Sequence, residues 1–296
     1  MLIQWYPGHI AKAEKALRDQ LKRVDVVLEV RDSRIPLVTC HPKVPEWIGD
    51  KARVLVLNRV DAIAPELRQD WDRWFRQQGE TPYFTNAQKG KGVKAVSQAA
   101  QAVGKGMNQR RRDRGMRPRA VRAVVIGFPN VGKSALINRL LQRKVAASAR
   151  RPGVTRQLRW IRLSDQLELL DAPGVLPARL DDQTAATKLA ICDDIGEAAY
   201  DHQRVAASLV DLLKRLDCQQ HYPETDPSPF LEPLRSRYDL DPADVTGETY
   251  LQTLAQKRNQ GDAERTAQQL LNDFRKGLLG PIPLELPPSV SLLDAH

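Results

Sequence analysis

The sequence predicts an α/β protein, a doubly wound and mostly parallel sheet followed by a smaller all-helical domain. Three observations carry that expectation. Short apolar runs alternate with helical periodicities through residues 1–176. A glycine-rich loop joins one of those runs directly to a helix. From Pro177 onward the strand pattern stops and only helical spacing remains. Alternation of this kind buries parallel strands between two layers of helices.

The elements follow in chain order. Ile10, Ala13, Leu17, Leu21 and Val24 recur at helical spacing with basic residues between them, which predicts an amphipathic helix. Val24–Val30 and Arg53–Leu57 read as strands, and Pro65–Gln78 as a helix with Trp71, Trp74 and Phe75 on its buried side. Pro82–Phe84 is a short strand, and a helix over roughly 91–103 follows. Residues 104–119 lack apolar periodicity and are expected to be an exposed linker. Val121–Ile126 is a strand, Lys133–Leu141 a helix, and Leu158–Leu163 and Leu167–Leu170 further strands. Beyond them Leu180–Cys192, Glu197–Leu216, Gly247–Lys257 and Ala263–Phe274 predict helices. The expected division is a first domain over 1–176, a helical domain over 177–280 and a Pro-rich tail over 281–296 without fixed structure of its own.

Composition narrows the classes. With 42% hydrophobic and 28% charged residues, the 296-residue chain can build an ordinary globular core. No apolar run reaches the ~20 residues of a membrane span, and no export signal is visible at the start. That predicts a protein of the cytoplasm or of an organelle's interior, and a monomer is expected. Cys40, Cys192 and Cys218 form no paired motif, which argues against structural zinc. His41, His202, His221 and His296 show no ligand spacing. The net charge of +10 is uneven: residues 1–176 carry 34 Lys/Arg against 16 Asp/Glu. Residues 114–164 carry 13 basic residues and no acidic one, a footprint for a polyanion such as RNA. Arg110, Arg111, Arg112, Arg114, Arg117, Arg150, Arg151 and Arg156 are the candidate RNA contacts.

The chemistry lies in four loops. Residues 127–134, Gly-Phe-Pro-Asn-Val-Gly-Lys-Ser, are a complete GxxxxGKS phosphate loop between a strand and a helix. Its backbone N–H groups, with Asn130, Val131, Gly132 and Ala135, would converge on phosphate oxygens. Lys133 would span the β- and γ-phosphates and Ser134 would ligate Mg²⁺. Asp171-Ala172-Pro173-Gly174 ends a strand, where Asp171 would join the Mg²⁺ shell and the Gly174 N–H would meet the γ-phosphate. Thr155 stands where a second Mg²⁺-ligating hydroxyl belongs. Asn58-Arg59-Val60-Asp61 ends another strand; the Asp61 carboxylate can accept from both N1–H and the N2 amine of guanine, donors that adenine lacks. Arg59 would pack along the nucleotide, and Thr85-Asn86-Ala87 would offer a backbone N–H to guanine O6. The base reader precedes the phosphate loop, whereas ordinary GTPases run in the opposite order. The first domain therefore reads as a circularly permuted P-loop GTPase domain, with all four loops at the carboxyl ends of the sheet.

The chain resembles the RbgA/YlqF family of circularly permuted ribosome biogenesis GTPases over nearly its whole length. Its start, Trp5-Tyr6-Pro7-Gly8-His9-Ile10-Ala11-Lys12-Ala13, is similar to that family's WFPGHMAKA. The stretches Val27–Leu37 and Asp273–Gly280 are similar too, as is the phosphate loop. Tyr6, Ile10, Arg59 and Thr85-Asn86 depart mildly from the pattern. The resemblance implies a GTP-hydrolysing switch that binds GTP and GDP. It would bind rRNA of the large ribosomal subunit late in assembly, with low intrinsic activity stimulated by ribosomal particles. Val175 follows the Asp-x-x-Gly motif where many GTPases place a water-orienting Gln, so the catalytic group must come from elsewhere; the resemblance points to His9. Asn130 resembles the Asn of GTPases that hold K⁺ beside the phosphates. Two other readings remain open: a nucleotide-gated RNA-binding scaffold whose hydrolysis is incidental, and a GTPase switch for a protein partner.

Overall fold

The computed structural model describes residues 3, 15, 17–141, 160–171, 182–219 and 228–288. Its frame is a six-stranded sheet of β1 (Val26–Asp32), β2 (Ala52–Asn58), β3 (Pro82–Thr85), β4 (Val121–Gly127), β5 (Trp160–Ser164) and β6 (Leu167–Asp171). The spatial order is β3-β2-β1-β4-β6-β5, with only the β5–β6 pair antiparallel. The phosphate-loop strand β4 is thus flanked by β1 and β6, and β2, which ends at the expected base reader, lies one strand beyond β1. Neighbours in space are reversed in sequence, as the permuted reading expects.

Strand β1 starts two residues later than expected and ends two later. The Asp25 carboxylate leaves the strand to receive both terminal nitrogens of Arg119, at 2.7 and 2.8 Å, and the Arg122 N–H. At the other end Arg31 and Asp32 stay within the buried strand because each has a partner of opposite charge, Glu29 and Arg34.

Alternation sends the strands' side chains to two faces. Val27, Val124, Ile126 and Leu170 meet Leu17, Leu21 and Val24 of the N-terminal helical segment, and Val44, Trp47 and Ile48 of the short helix α1 (Val44–Ile48). On the same side Leu55 and Leu57 receive Leu67, Trp71 and Phe75 of α2 (Pro65–Gln77). The other face carries Val26, Leu28, Val30, Val54, Val56 and Val125. They pack with Val93, Val96 and Ala100 of α3 (Val93–Asp113) and Leu136 and Ile137 of α4 (Lys133–Leu140).

The helix α3 corrects an expectation. It continues to Asp113, through residues read from sequence as linker. Gly104 lets its backbone pass the start of β4, since a Cβ there would lie 2.2 Å from Val121 Cγ2. The return strand is then tied down: Asn108 exchanges two side-chain hydrogen bonds with the Arg119 backbone, at 2.9 and 3.0 Å.

From residue 182 the described residues form the four expected helices, α5 (Gln183–Ile191), α6 (His202–Gln219), α8 (Gly247–Asn259) and α9 (Ala263–Arg275), and one more that the sequence reading did not include, α7 (Glu232–Tyr238). The expected boundary at 176–177 lies outside the described residues. One continuous apolar cluster joins the second sheet face to these helices. Residues 281–288 also differ from expectation. Ile282 and Leu284 are buried, and the Leu284 and Glu285 N–H groups donate to the Arg34 carbonyl. Among the described residues no helix is long and apolar enough to cross a membrane.

Candidate functional site

The strand registers bring the expected loops to one edge. Asp32 pairs with Asn58, Asn58 with Thr85, Val30 with Gly127 and Val125 with Asp171, all at carboxyl ends. That is where ligands bind in sheets of this type.

The phosphate loop leads from β4 into α4. Its last glycine, Gly132, has φ +103°, and a Cβ there would lie 2.1 Å from Asn58 Nδ2, so glycine is required on two counts. No side chain caps the α4 N-terminus at Gly132. Its first-turn N–H groups are consequently oriented for an anion. Lys133 is nearly buried, its Nζ donating to the Gly127 carbonyl at 3.1 Å and the Phe128 carbonyl at 2.5 Å. These bonds pin the ammonium at the loop mouth. Ser134 and Ala135 are half-buried beside it.

Asn58 joins the two halves of the site. Its Nδ2 donates to the Val131 carbonyl of the phosphate loop at 2.9 Å. Its Oδ1 accepts from Thr85 Oγ1 and from the Ala87 N–H, both at 3.0 Å. The N–H group expected to meet guanine O6 is therefore engaged with Asn58 in this structure. Asn86 shapes its own loop, with Oδ1 accepting the Lys89 N–H and its N–H donating to the Lys91 carbonyl. Arg139 of α4 donates to the carbonyls of Ala87 and Gln88, fixing the same loop from the phosphate side. Asp61, expected to read guanine, lies on the turn Val60–Ala62 and is exposed.

Arg59 has left-handed backbone geometry (φ +61°) and reaches back over the phosphate loop. Its guanidinium donates to the Asn130 carbonyl at 2.9 Å and meets the Asp32 carboxylate at 3.2 Å. A lysine could offer only a point charge here, while the planar fork holds two acceptors. Asp32 is fully buried and also binds Arg34 through two side-chain nitrogens, at 3.0 and 2.7 Å. Burial opposes its charge, but Arg34 and Arg59 together hold its carboxyl below the usual range.

The site is contiguous with the helical part. Asn130, expected to face phosphates or K⁺, donates through Nδ2 to the Asp193 carbonyl at 2.6 Å. Arg34 donates to the Cys192 carbonyl at 3.2 Å, and Arg275 of α9 to the carbonyls of Ala190 and Ile191. Between them Asp194 is wholly buried, and neither carboxyl oxygen has a hydrogen-bond partner. Burial, then the nearby Asp32 charge, push its pKa well above the ordinary carboxylate range. Asp32, Arg34 and Asp194 were missed as site residues. The available signal was an acid–basic pair two residues apart at the end of an apolar strand.

His9, Thr155, Gly174, Val175, Arg150, Arg151 and Arg156 lie outside the described residues, as does the Asp171 side chain. The Ser134 hydroxyl suits a Mg²⁺ that arrives with phosphates, because such an ion takes one or two protein oxygens and several waters. No group of three His, Cys, Asp or Glu able to cage a metal occurs among the described residues.

Residues 122–225 match the family described as 50S ribosome-binding GTPase. Ribosome biogenesis GTPase A of Bacillus cereus is 35% identical over 97% of this chain and 95% of its own length. The Priestia megaterium protein of the same name is 35% identical, over 97% and 98%. A GDP-bound YlqF structure shares the fold with a TM-score of 0.64 at 22% identity, covering 92% of this chain and 99% of its own. Identity at that level, sustained from end to end, is common descent: the chain belongs to the ribosome biogenesis GTPase A (RbgA/YlqF) family and is a GTPase.

Proposed function

We propose that the protein is a ribosome-assembly switch which grips rRNA of the large subunit in its GTP state, late in assembly, and lets go as GDP. The observation that carries this reading is the joining of a guanine-nucleotide site to a segment with 13 basic and no acidic residues over 114–164. Relatives named for ribosome biogenesis support the particle as partner. Its place is then any compartment that holds ribosomes, the bacterial cytoplasm or an organelle.

In this reading Lys133 and the α4 N-terminus bind the phosphates, and Asp61 selects guanine. Ser134, Thr155 and Asp171 would hold Mg²⁺, which would supply charge neutralisation to the phosphates. Gly174 contacts the γ-phosphate, and His9 orients the attacking water because Val175 cannot. K⁺ beside the phosphates would be ligated by Asn130 Oδ1, the amide nitrogen being engaged with Asp193. Hydrolysis is slow until rRNA positions His9 and the two switches, near 143–157 and 171–177. Val175 favours one alternative, an RNA scaffold with incidental hydrolysis.

Co-sedimentation with purified ribosomal subunits in a non-hydrolysable GTP analogue, in GDP and without nucleotide, across a salt series, tests the proposal. Analogue-dependent, salt-sensitive binding to the large subunit is expected, with GTPase stimulation by the same particles. Binding without stimulation supports the scaffold. No subunit binding under any nucleotide overturns both.

A further inference from the structure

We propose that the outer face of α3 is a docking surface for the phosphate backbone of an RNA duplex. The inference rests on the rRNA reading above and places a contact outside the nucleotide site and its switches.

Residues 81–112 contain seven Lys/Arg and no Asp or Glu. In a linker that run would be a diffuse cloud of charge. Here most of it lies on one helix. The buried side of α3 is Val93, Val96, Ala100 and Gly104. At ~100° per residue, Lys94, Gln98, Lys105, Gln109 and Arg112 fall into one stripe on the opposite side, and all five are exposed. Lys94 and Arg112 stand about 27 Å apart along the axis at 1.5 Å per residue. That separation is too wide for one small anion and suits a polymer of phosphates. Gln98 adds a neutral donor of the kind that bonds phosphate oxygens, whereas the Gln109 amide donates to the Asp113 carboxylate at 2.9 Å.

The stripe is not explained by helix stability. A solvated helical face ordinarily mixes signs, with Glu and Lys four apart and acids in the first turn. The first turn of α3 has no acid, and its first carboxylate is Asp113 at the end. An anionic membrane would satisfy the charge as well, but α3 has no apolar face left to insert, since that face is packed on the sheet.

The far end of the helix is held rigid. The Asn108–Arg119 pair, the Arg111 Nε bond to the Arg117 carbonyl at 3.0 Å, and the two-pronged Arg119–Asp25 bridge fix the helix and its return. A preorganised row loses less conformational freedom on binding than a tail would.

The test is a salt series of duplex-RNA binding, read by fluorescence anisotropy, on full-length protein and on K94Q/K105Q/R112Q. Each lost phosphate contact lowers the slope of log K against log salt by about 0.7–0.9. The triple variant should bind at least ~10-fold more weakly near physiological salt, with its slope reduced by about 2–3. Guanine-nucleotide affinity and Tm should be unchanged, and K94R/K105R/R112K should retain the wild-type slope. Wild-type binding by the Gln variant overturns the surface while leaving the rRNA reading intact. No duplex binding by the wild type, or binding of acidic protein in preference to RNA, overturns the surface, and co-sedimentation with the large subunit decides the rRNA reading separately.

Discussion

At the scale of single residues, the site depends on which polar groups are engaged and which are left exposed. Asn58, Thr85, Asn86 and Ala87 are occupied in holding loops together, so in the proposed function base selection falls to the exposed Asp61. Replacing it with Asn removes a charge-assisted bond of ~1.5–3 kcal/mol. GTP affinity should drop about 10- to 100-fold in a fluorescent-nucleotide titration, while xanthosine triphosphate, with a carbonyl at C2, should bind better than to the wild type. Asp194 makes a different prediction. Its folded pKa is raised by burial and by Asp32, with Arg34 and Arg59 opposing and Asp193 adding to it. The folded state thus holds a proton that the unfolded state releases near pH 4, and stability is lost as pH rises from there towards the folded pKa. Asp194→Asn should flatten that slope in urea midpoints and be the more stable form at neutral pH; an unchanged slope would mean another group carries it. The legibility of these residues differed for a physical reason. Asp61 and Lys133 sit in motifs whose spacing is dictated by a ligand. Asp32 and Asp194 act through neighbours 2 to 162 positions away, and no local pattern announces that.

At the scale of elements, α9 shows how a family-like stretch can be architectural. Asp273 accepts from Arg237 Nε at 2.6 Å and Tyr238 Oη at 2.8 Å, and Arg275 holds the end of α5 and Tyr200 Oη. Arg275→Ala should cost roughly 2–3 kcal/mol, since it strands buried carbonyls and a charged hydrogen-bond set. Chemical denaturation checks this. The same turn after α5 is held from the phosphate loop by Asn130. Hydrogen exchange of the amides over 192–195 should accelerate in Asn130→Ala without nucleotide, and a rate equal to the wild type would exclude that tie. Most elements were legible because periods of 2 and 3.6 are imposed by the sheet faces they cover. The end of α3 was not, because residues 105–113 set only Met107 against the core and leave no apolar period. Their helicity comes from continuation of a packed helix and from Asn108 and Arg111 closing on the return strand.

At the scale of the whole molecule, the segment 281–288 connects the helical part to the first strand. Leu284 is fully buried, and Glu285 accepts the Leu37 N–H at 2.8 Å and the Lys188 ammonium at 3.1 Å. Burial raises the Glu285 pKa, with Lys188 and the backbone N–H groups opposing. Leu284→Ala should destabilise the protein by about 2–5 kcal/mol, read as a lower urea midpoint with a single transition if sheet and helices unfold together. A Pro-rich stretch reads as a tail in sequence because its burial comes entirely from distant partners. Leu37 and Glu285 are 248 positions apart. At ~5–20 residues per second of synthesis, the loop beyond β1 waits roughly 10–50 s for the carboxylate that completes it. The loop that follows the first strand leaves the ribosome early yet is closed last, so a growing chain cannot fasten that loop before its helices and the segment 281–288 have emerged.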